Sequence, residues 1–235
     1  MTDYQHIYQT DAARYDAMVS AEDVDGNLPH TLAAVLPAHG RLVDIGCGTG
    51  RVGRIALAVT GLEVLGVEPA LPMLEVARVR ASAEGHAARA RFVEGAADAL
   101  PVPDAWADAA IAGWVYGHQV GWAGDAWPVA IGKFLDEMRR VTRPGGVCVV
   151  IETLGTGLPE PGPRAPSPGL ASYYAWLEAE HGFVRHAIDT SYGFASVDEA
   201  ALRMGFFFGP RIVDAIRAHG WSRVPEWTGV WVTRR

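Results

Sequence analysis

Residues 42–53, LVDIGCGTGRVG, constrain the fold more than any other part of the chain. A short apolar run ends at a bend that carries four glycines between Gly46 and Gly53, and a segment with helical spacing, RVGRIALAVT, follows directly. This order is typical of a β-strand that turns sharply into an α-helix. Because open α/β sheets bind ligands at the carboxyl ends of their strands, the bend is also a candidate binding site.

Strand-like and helix-like segments alternate over the first two thirds of the sequence. The apolar runs EVLGVEP, ARFVEG, ADAAIAG and VCVVIET have the length of strands, and segments with helical spacing or loops separate them. Such alternation, with short connections, predicts parallel strands joined by right-handed crossovers in a doubly wound sheet. The closing EWTGVWVT is rich in strand-forming residues and predicts an antiparallel last strand of the same sheet.

Several polar residues are placed where helices are expected to begin. Asp11 is expected to cap a helix over AARYDAMV, and Asp125 a helix whose apolar residues form one stripe between Ile131 and Val141. Ser196 and Glu199 form a capping-box pattern before VDEAALRM. Between these helices the proline-rich stretch GTGLPEPGPRAPSPG interrupts the regular pattern and predicts a loop or lid.

The composition argues for a folded protein and against some classes of partner. Hydrophobic residues make up 49% of the 235 residues, and the formal net charge is −7. Because nucleic-acid binding normally rests on a basic face, we expect no nucleic-acid partner. No apolar run approaches membrane-spanning length and the first residues show no signal pattern, so we expect a soluble, cytoplasmic protein with no membrane partner. The two cysteines, Cys47 and Cys148, are expected to be reduced and packed.

An aspartate before the bend separates two interpretations of the glycines. A dinucleotide fingerprint, G-x-G-x-x-G, begins at Gly48, and Glu68 follows at about the distance of a ribose-binding carboxylate. Asp44, two residues before Gly46, extends the pattern to D-x-G-x-G-x-G. This frame resembles motif I of the class I S-adenosylmethionine-dependent methyltransferases. In that family the bend holds the methionine part of the cofactor, and the acidic residue orients its amino group.

The resemblance covers four blocks between residues 42 and 152, and it implies further roles. Glu68 matches the family's acceptor of both ribose hydroxyls, and Met73 matches an apolar contact of the adenine. Asp98 matches the acceptor of the adenine amino group, and RRVTRPGGVCVV is similar to the family's turn into the fifth strand. Tyr15 lies in a YD pair similar to one in an N-terminal helix that covers the cofactor. The cofactor-binding residues expected from the resemblance are Tyr15, Asp44, Gly46, Cys47, Gly48, Gly50, Glu68, Pro69, Met73, Ala97, Asp98, Ala99, Gly113 and Trp114.

The resemblance also implies a fold. We expect a Rossmann-like α/β fold with a doubly wound, mostly parallel seven-stranded sheet, an antiparallel last strand and a helical cap formed by the N-terminus and an insertion. We expect one methyltransferase domain, 1–235. Its expected parts are an N-terminal helical cap (1–40), a cofactor-binding core (41–153), a proline-rich loop with an acceptor-side lobe (155–210), and a last helix and strand (211–235).

The expected reaction is methyl transfer from S-adenosylmethionine, with S-adenosylhomocysteine as product, to an oxygen, nitrogen or carbon atom of a small molecule. The segment after the fourth strand, GWVYGHQVGW, lacks the signature of enzymes that methylate amino groups of nucleobases or glutamine. An acceptor that must lose a proton needs a base, and His118 in this segment is the first candidate, with His181 and His186 behind it. No cluster has metal-ligand spacing, so we expect metal-independent transfer.

Aromatic residues gather in the variable parts of the chain and leave the acceptor site open to two interpretations. They either line an apolar acceptor pocket or pack the added lobe against the sheet. These residues are Trp114, Tyr116, Trp122, Trp127, Tyr173, Tyr174, Trp176 and the run 206–208. Three other functions stay open from the sequence: a nicotinamide-dependent oxidoreductase, a non-catalytic protein that binds S-adenosylmethionine, and an aminopropyl transferase.

Overall fold

A central sheet runs through the computed structural model, which describes residues 4–158 and 163–235. In chain order, the strands of the described residues are β1 (His39–Ile45), β2 (Gly61–Glu68), β3 (Ala90–Glu94), β4 (Ala107–Gly113), β5 (Thr142–Thr156), β6 (Val184–Asp189), β7 (Tyr192–Gly193), β8 (Arg223–Val224) and β9 (Glu226–Arg234). Seven of them form the main sheet in the order β3-β2-β1-β4-β5-β9-β6, and β7 pairs with β8 outside it.

The directions of the strands confirm the predicted fold class. Strands β1 to β5 are parallel to one another, and β9 runs antiparallel between β5 and β6. Strand β1 pairs with β2 on one side and β4 on the other, so the order of the sheet reverses at β1. In open α/β sheets this reversal point is where a crevice opens at the carboxyl ends of the strands.

Helices cover both faces of the sheet. In chain order they are α1 (Tyr4–Thr10), α2 (Ala12–Val19), α3 (Asn27–Val35), α4 (Arg51–Val59), α5 (Leu71–Ala83), α6 (His118–Trp122), α7 (Trp127–Val141), α8 (Pro168–Ala179), α9 (Val197–Phe208) and α10 (Pro210–His219). Alternate residues of the buried strands face opposite cores, as period-two strands require. One core joins β4 and β5 to α7 and α8, and the other joins the same strands to α3 and α4.

A third apolar cluster forms the wall above the carboxyl ends of the strands. Met18 and Val19 of α2 pack there with Met204 of α9, Ile216 of α10 and Val224 of β8. The helix α1 continues this cover and lies against α5, as does α2. The N-terminal helices and the C-terminal half of the chain therefore close the same edge of the sheet.

Of the three predicted helix caps, only the capping box at Ser196 is confirmed. The Ser196 hydroxyl accepts a hydrogen bond from the Glu199 backbone N–H at 3.1 Å, which confirms the predicted capping box. Asp11 precedes α2 as predicted, without a side-chain cap. The prediction for Asp125 is wrong, because residues 124–126 form a separate 3₁₀ turn and α7 begins at Trp127, followed by Pro128 in the first turn.

The proline-rich stretch begins later than the sequence indicates. Gly155 and Thr156 still belong to β5, whose Thr156 is paired with Glu226 of β9. Residues 159–162 of the predicted loop or lid lie outside the described residues. Both cysteines are free and buried, as expected: Cys47 lies beside the bend and Cys148 in β5.

Candidate functional site

The glycine bend between β1 and α4 is built on left-handed backbone. Gly46, Gly48 and Gly50 have φ values of 63°, 54° and 75°, a region that side chains with a Cβ rarely adopt. A Cβ on Gly46 would lie 2.7 Å from a Val115 methyl carbon. A Cβ on Gly48 would meet nothing closer than the Met73 methyl group at 3.5 Å. The backbone at Gly48 is thus exposed to a ligand without a side chain in between.

The buried carboxyl group of Asp44 stabilises the bend through a hydrogen bond. Asp44 is 1% exposed, and its Oδ2 accepts a hydrogen bond from the Gly53 backbone N–H at 2.9 Å. Burial, and to a smaller degree the neighbouring Glu68 carboxylate, raise the pKa of Asp44 to about 7. A positively charged group placed beside Asp44 would favour its ionised form.

A cavity of about 260 Å³ lies above the bend. It is enclosed by the bend itself, the carboxyl ends of β4 and β5, the start of β9, and the helices α1, α2, α6 and α9. Its lining residues are Tyr4, Tyr8, Tyr15, Met18, Val19, Glu22, Asp44, Gly46, Cys47, Gly48, Thr49, Arg51, Val52, Gly113, Trp114, Gly117, His118, Glu152, Thr153, Thr156, Leu170, Tyr192, Phe207, Phe208 and Glu226.

The structure brings eight of the predicted site residues to this cavity. They are Tyr15, Asp44, Gly46, Cys47, Gly48, Gly113, Trp114 and His118. Trp114 has a φ of 56°, which is rare for a bulky residue, and its N–H donates to the Ile151 carbonyl at 2.7 Å. Unusual backbone of this kind often occurs at functional sites.

The other predicted residues do not line the cavity. Glu68 is 7% exposed, and its two oxygens accept backbone N–H bonds from Gly48 at 3.1 Å and Ala70 at 3.0 Å. The pKa of Glu68 is raised by burial. The remaining residues outside the lining are Gly50, Pro69, Met73, Ala97, Asp98 and Ala99, of which Pro69, Asp98 and Ala99 are exposed.

Helices α1 and α2 cover the part of the site in which, by the resemblance, adenosine would bind. Met73 is 2% exposed and packs in one cluster with Ala12 and Ala70, with Tyr8 and Tyr15 against it. The cavity is also smaller than the ~300–1,000 Å³ typical of small-ligand pockets. A ligand as long as a nucleoside would therefore need α1 to move outward.

His118 is partly buried and has three aromatic neighbours, Tyr4, Tyr8 and Trp122. Its ring stacks on Trp122 with the centroids 4.8 Å apart, and its Nε2 lies 3.2 Å from the Tyr8 hydroxyl. Burial lowers the pKa of His118 to about 4, so the imidazole is neutral at pH 7. A neutral imidazole facing the cavity can accept a proton.

Four ionisable residues of the cavity are not predicted from the sequence: Glu22, Arg51, Glu152 and Glu226. Arg51 binds Glu22, with Nη1 2.7 Å from Oε2, and its guanidinium lies 5.1 Å from the centre of the Trp114 ring. No motif marks the glutamates, because they come from three distant segments that only the fold brings together.

Two of these glutamates are buried and hydrogen-bonded to neutral groups. Glu152 accepts a hydrogen bond from the Gly117 N–H at 2.8 Å, and burial raises its pKa to about 8. Glu226 accepts one from the Thr153 hydroxyl at 2.7 Å, and its pKa is raised to about 8 by burial and then by Glu22. Both carboxyls are thus largely neutral at pH 7.

These raised pKa values predict how stability depends on pH. A carboxyl whose folded pKa exceeds its unfolded value of ~4.3 favours folding in acid, and this contribution is lost as the pH rises towards about 8. The Glu226→Gln variant is therefore expected to lose less unfolding free energy than the wild type between about pH 5 and pH 9, with a difference on the order of a few kcal/mol. Urea denaturation across this range measures it.

The exposed Glu180 supplies the matched control for the pH experiment. The Glu180→Gln variant should follow the wild-type dependence on pH, since an exposed carboxyl keeps similar surroundings in the folded and unfolded chain. Equal slopes for Glu226→Gln and the wild type would show that Glu226 is not held neutral by the fold.

The predicted aromatic residues divide between the cavity and the core. Trp114, Phe207 and Phe208 line the cavity. Tyr116, Tyr173, Tyr174, Trp127 and Trp176 belong to the core between the sheet and α7 and α8. Core packing is thus observed for the second group, and an acceptor pocket lined by the first stays a prediction; Trp122 and Phe206 belong to neither group. His181 packs on Trp176 outside the cavity lining, and His186 lies on β6.

Within the described ranges, no group of three or more His, Cys, Asp or Glu residues is arranged to hold a metal ion. In the same part of the chain, no helix is both long and apolar enough to cross a membrane.

Comparison with known proteins connects this site to a family. Residues 43–150 match the family described as "Methyltransferase domain". Malonyl-(acyl-carrier protein) O-methyltransferase of Pectobacterium atrosepticum is 34% identical over 148 residues, which are 62% of this chain and 51% of the relative. Demethylmenaquinone methyltransferase of Thermus thermophilus is 35% identical over 113 residues, 48% of this chain and 46% of the relative. The matched segments thus span about half the length of these relatives.

Solved structures extend the similarity of the fold to the whole chain. The structure of the (4+2)-cyclase SpnF has a TM-score of 0.63 at 18% identity and covers 98% of this chain and 94% of its own. A geranyl diphosphate methyltransferase in complex with S-adenosylmethionine has a TM-score of 0.55 at 18% identity, covering 96% and 94%. At these identities the similarity concerns the fold, and one fold hosts different reactions.

Proposed function

We propose that the chain transfers a methyl group from S-adenosylmethionine to a small-molecule acceptor, because residues 43–150 match the methyltransferase-domain family and the motifs around the bend resemble those of the class I S-adenosylmethionine-dependent methyltransferases. The observation that carries the proposal is the left-handed glycine bend, which leaves the Gly48 backbone bare at a cavity that also contains the buried Asp44 carboxyl.

The residues at the bend fit this cofactor. A Cβ on Gly48 would fill space beside Met73, and the buried Thr49 hydroxyl has no hydrogen-bond partner in the described structure. Asp44 and the backbone at Gly46 and Gly48 would hold the methionine part, and Glu68 the ribose. An oxygen-rich site suits a ligand that carries both a sulfonium and an ammonium.

The other predicted residues have proposed roles on the adenosine side. Met73 and Pro69 would flank the adenine, and Asp98, between Ala97 and Ala99, would accept from its amino group. Gly50 would support the bend, while Cys47, Gly113 and Trp114 would line the path to the acceptor. Tyr15 would close the site from α2 once the cofactor is in place.

The bound cofactor supplies an activated methyl group, and the protein supplies geometry and exclusion of water. Trp114, held in its unusual backbone conformation, and the rings of Phe207 and Phe208 give the acceptor side an apolar wall. We propose a small apolar or aromatic acceptor that binds against this wall. We propose a cytoplasmic enzyme, and the formal charge of −7 argues against nucleic acid as its substrate.

His118 is the proposed general base for an acceptor that must lose a proton. Because removal of a positioned base typically costs ~10²–10⁴-fold in rate, His118→Ala is expected to reduce kcat about 100-fold or more. Its pKa of about 4 means that His118 is already neutral from pH 5 upwards, so its titration leaves kcat unchanged between about pH 5 and pH 8. Steady-state rates of S-adenosylhomocysteine formation measure both effects.

The exposed His30 provides a control for the base. His30→Ala should keep wild-type turnover. An unchanged kcat in His118→Ala with the true acceptor would show that His118 is not the general base.

The reaction itself is tested with methyl-labelled S-adenosylmethionine and a panel of small aromatic and apolar phenols, carboxylic acids and amines. The proposal expects label in at least one acceptor together with an equal amount of S-adenosylhomocysteine. Tight cofactor binding without transfer to any of them would favour the non-catalytic alternative, and hydride transfer from a nicotinamide cofactor would favour an oxidoreductase.

A further inference from the structure

The cavity is strongly acidic for one with apolar walls. Four carboxyl groups line it, from Glu22, Asp44, Glu152 and Glu226, and Arg51 is the one Lys or Arg among its described lining residues. Buried carboxyls without cations are costly, and proteins normally pair them or neutralise them. The fold keeps Glu152 and Glu226 largely neutral, and a cationic ligand would favour their ionised form.

Two of these carboxyls, those of Glu22 and Glu226, lie near one another in the cavity. Burial and then the Glu22 charge raise the pKa of Glu226, while Arg51 acts in the opposite direction on both carboxyls, so these three groups share one environment. Tyr192 joins them, since its hydroxyl donates to Glu22 Oε2 at 3.2 Å.

Each carboxyl of the pair keeps one oxygen without a well-formed hydrogen bond in the described structure, although the hydroxyls of Thr190 and Thr156 lie near Glu22 and Glu226 and lower their pKa values. Glu22 is 9% exposed, and its Oε2 is bound by Arg51 and Tyr192, whereas Oε1 accepts nothing. Glu226 is 2% exposed, and its Oε1 accepts from Thr153, whereas Oε2 accepts nothing. Buried carboxylate oxygens normally have partners, so two unsatisfied ones beside a cavity indicate a ligand that donates.

Glu226 is separate from the part of the bend that would hold the cofactor, whereas Glu22 is bonded to Arg51, the residue that follows Gly50. Glu226 begins β9, which lies three strands from β1 in the order β1-β4-β5-β9. At about 4.8 Å between neighbouring strands, Glu226 is about 14 Å across the sheet from the end of β1. Asp44, not this pair, is the carboxyl at the bend.

We propose that Glu22 and Glu226 form a binding site for a protonated amine on the methyl acceptor. The inference rests on the proposed function and names the class of its substrate. One arginine serves two carboxyls, and Glu226 is largely neutral in the free protein. An ammonium favours the ionised form of Glu226 and supplies donors for the two unsatisfied oxygens. Trp114, Phe207 and Phe208 contact the apolar remainder of the same molecule.

The test uses three arylalkyl amines, benzylamine, 2-phenylethylamine and 3-phenylpropylamine, each against its neutral alcohol and the carboxylic acid of matching length. Calorimetric titrations are run at pH 7 on the full chain, with and without saturating S-adenosylhomocysteine. At least one amine is expected to bind about tenfold more tightly than its alcohol, and the acids should not bind, because an ion pair at a buried site is worth ~1.4 kcal/mol or more.

Variants at Glu226 and at an exposed glutamate test whether the preference for the amine depends on the pair. Glu226→Gln should bring the amine to the affinity of its alcohol, and Glu226→Asp should retain part of the preference for the amine. Glu180→Gln, at an exposed site, should match the wild type. Because Glu226 is largely neutral in the free protein, the glutamine variant is expected to fold, and its melting temperature verifies this.

The outcomes separate this inference from the proposed function. Equal affinity for amine and alcohol, or no binding of any amine at about 10 mM, would overturn the amine site while leaving S-adenosylhomocysteine binding intact. If Glu226→Gln bound S-adenosylhomocysteine more weakly and the amines unchanged, these carboxyls would belong to the cofactor site. This result would also overturn the amine site. Absence of S-adenosylhomocysteine binding to the wild type would count against the proposed function.

Discussion

Gly48→Ala is expected to weaken binding of S-adenosylmethionine about 100-fold, equivalent to about 2.7 kcal/mol. Gly48 has a left-handed φ of 54°, and its missing Cβ would point into space that ends 3.5 Å away at the Met73 methyl group. The added methyl group therefore does not collide with the protein. It takes up the space in which the cofactor would contact the backbone, and calorimetric titration measures the loss.

A substitution at a second left-handed glycine, Gly85, is the control that distinguishes the loss of cofactor affinity from the effect of backbone strain. Gly85 has a φ of 78° at the end of α5, and a Cβ added there would meet no atom within 4 Å. Gly85→Ala carries a similar conformational cost of about 1–2 kcal/mol in stability and should bind the cofactor normally. If Gly48→Ala bound S-adenosylmethionine as tightly as Gly85→Ala does, the bend would not be the cofactor site.

Arg51→Met is expected to lower the free energy of unfolding by about 3–5 kcal/mol at pH 7. The Arg51 and Glu22 side chains are 12% and 3% exposed, and removal of the guanidinium leaves the Glu22 carboxyl buried without its cation. The variant also loses the contact of the guanidinium with the Trp114 ring. Urea denaturation followed by tryptophan fluorescence measures the change.

The exposed pair Arg223–Asp25 is the matched control, with side chains 50% and 48% exposed. Arg223→Met should cost less than about 1 kcal/mol, because solvent screens such pairs. Addition of Glu22→Gln to Arg51→Met should recover part of the lost stability, since it removes the uncompensated charge. A cost for Arg51→Met as small as that for Arg223→Met would show that the Arg51–Glu22 pair is not a buried one.

The sequence was sufficient to predict the sheet and its central strands because these depend on local patterns. Apolar runs of strand length, the helical spacing after the bend and the β-rich C-terminus each specify one element, and all of these elements are present. The position of β9 between β5 and β6 did not follow from these patterns, since no local signal specifies a partner strand. The division of the single domain at residues 40, 153 and 210 stays a prediction.

The bend was predictable as a site, whereas the acidic end of the cavity was not. Asp44, Gly46 and Gly48 lie within five residues and form a motif, and the structure places them together at the cavity. Glu22 and Glu226 are 204 positions apart and meet only because α2 and β9 close the same edge of the sheet. The predicted cap at Asp125 is wrong for a local reason, because a 3₁₀ turn lies directly before α7.

The central claim is tested most directly by calorimetric titration of the wild-type chain with S-adenosylmethionine and S-adenosylhomocysteine, with NAD as the comparison ligand and Asp44→Ala alongside. The account predicts micromolar binding of both sulfur ligands, no binding of NAD, and a loss of the sulfur-ligand affinity in Asp44→Ala. Binding of NAD alone, or sulfur-ligand binding unchanged by Asp44→Ala, would contradict it.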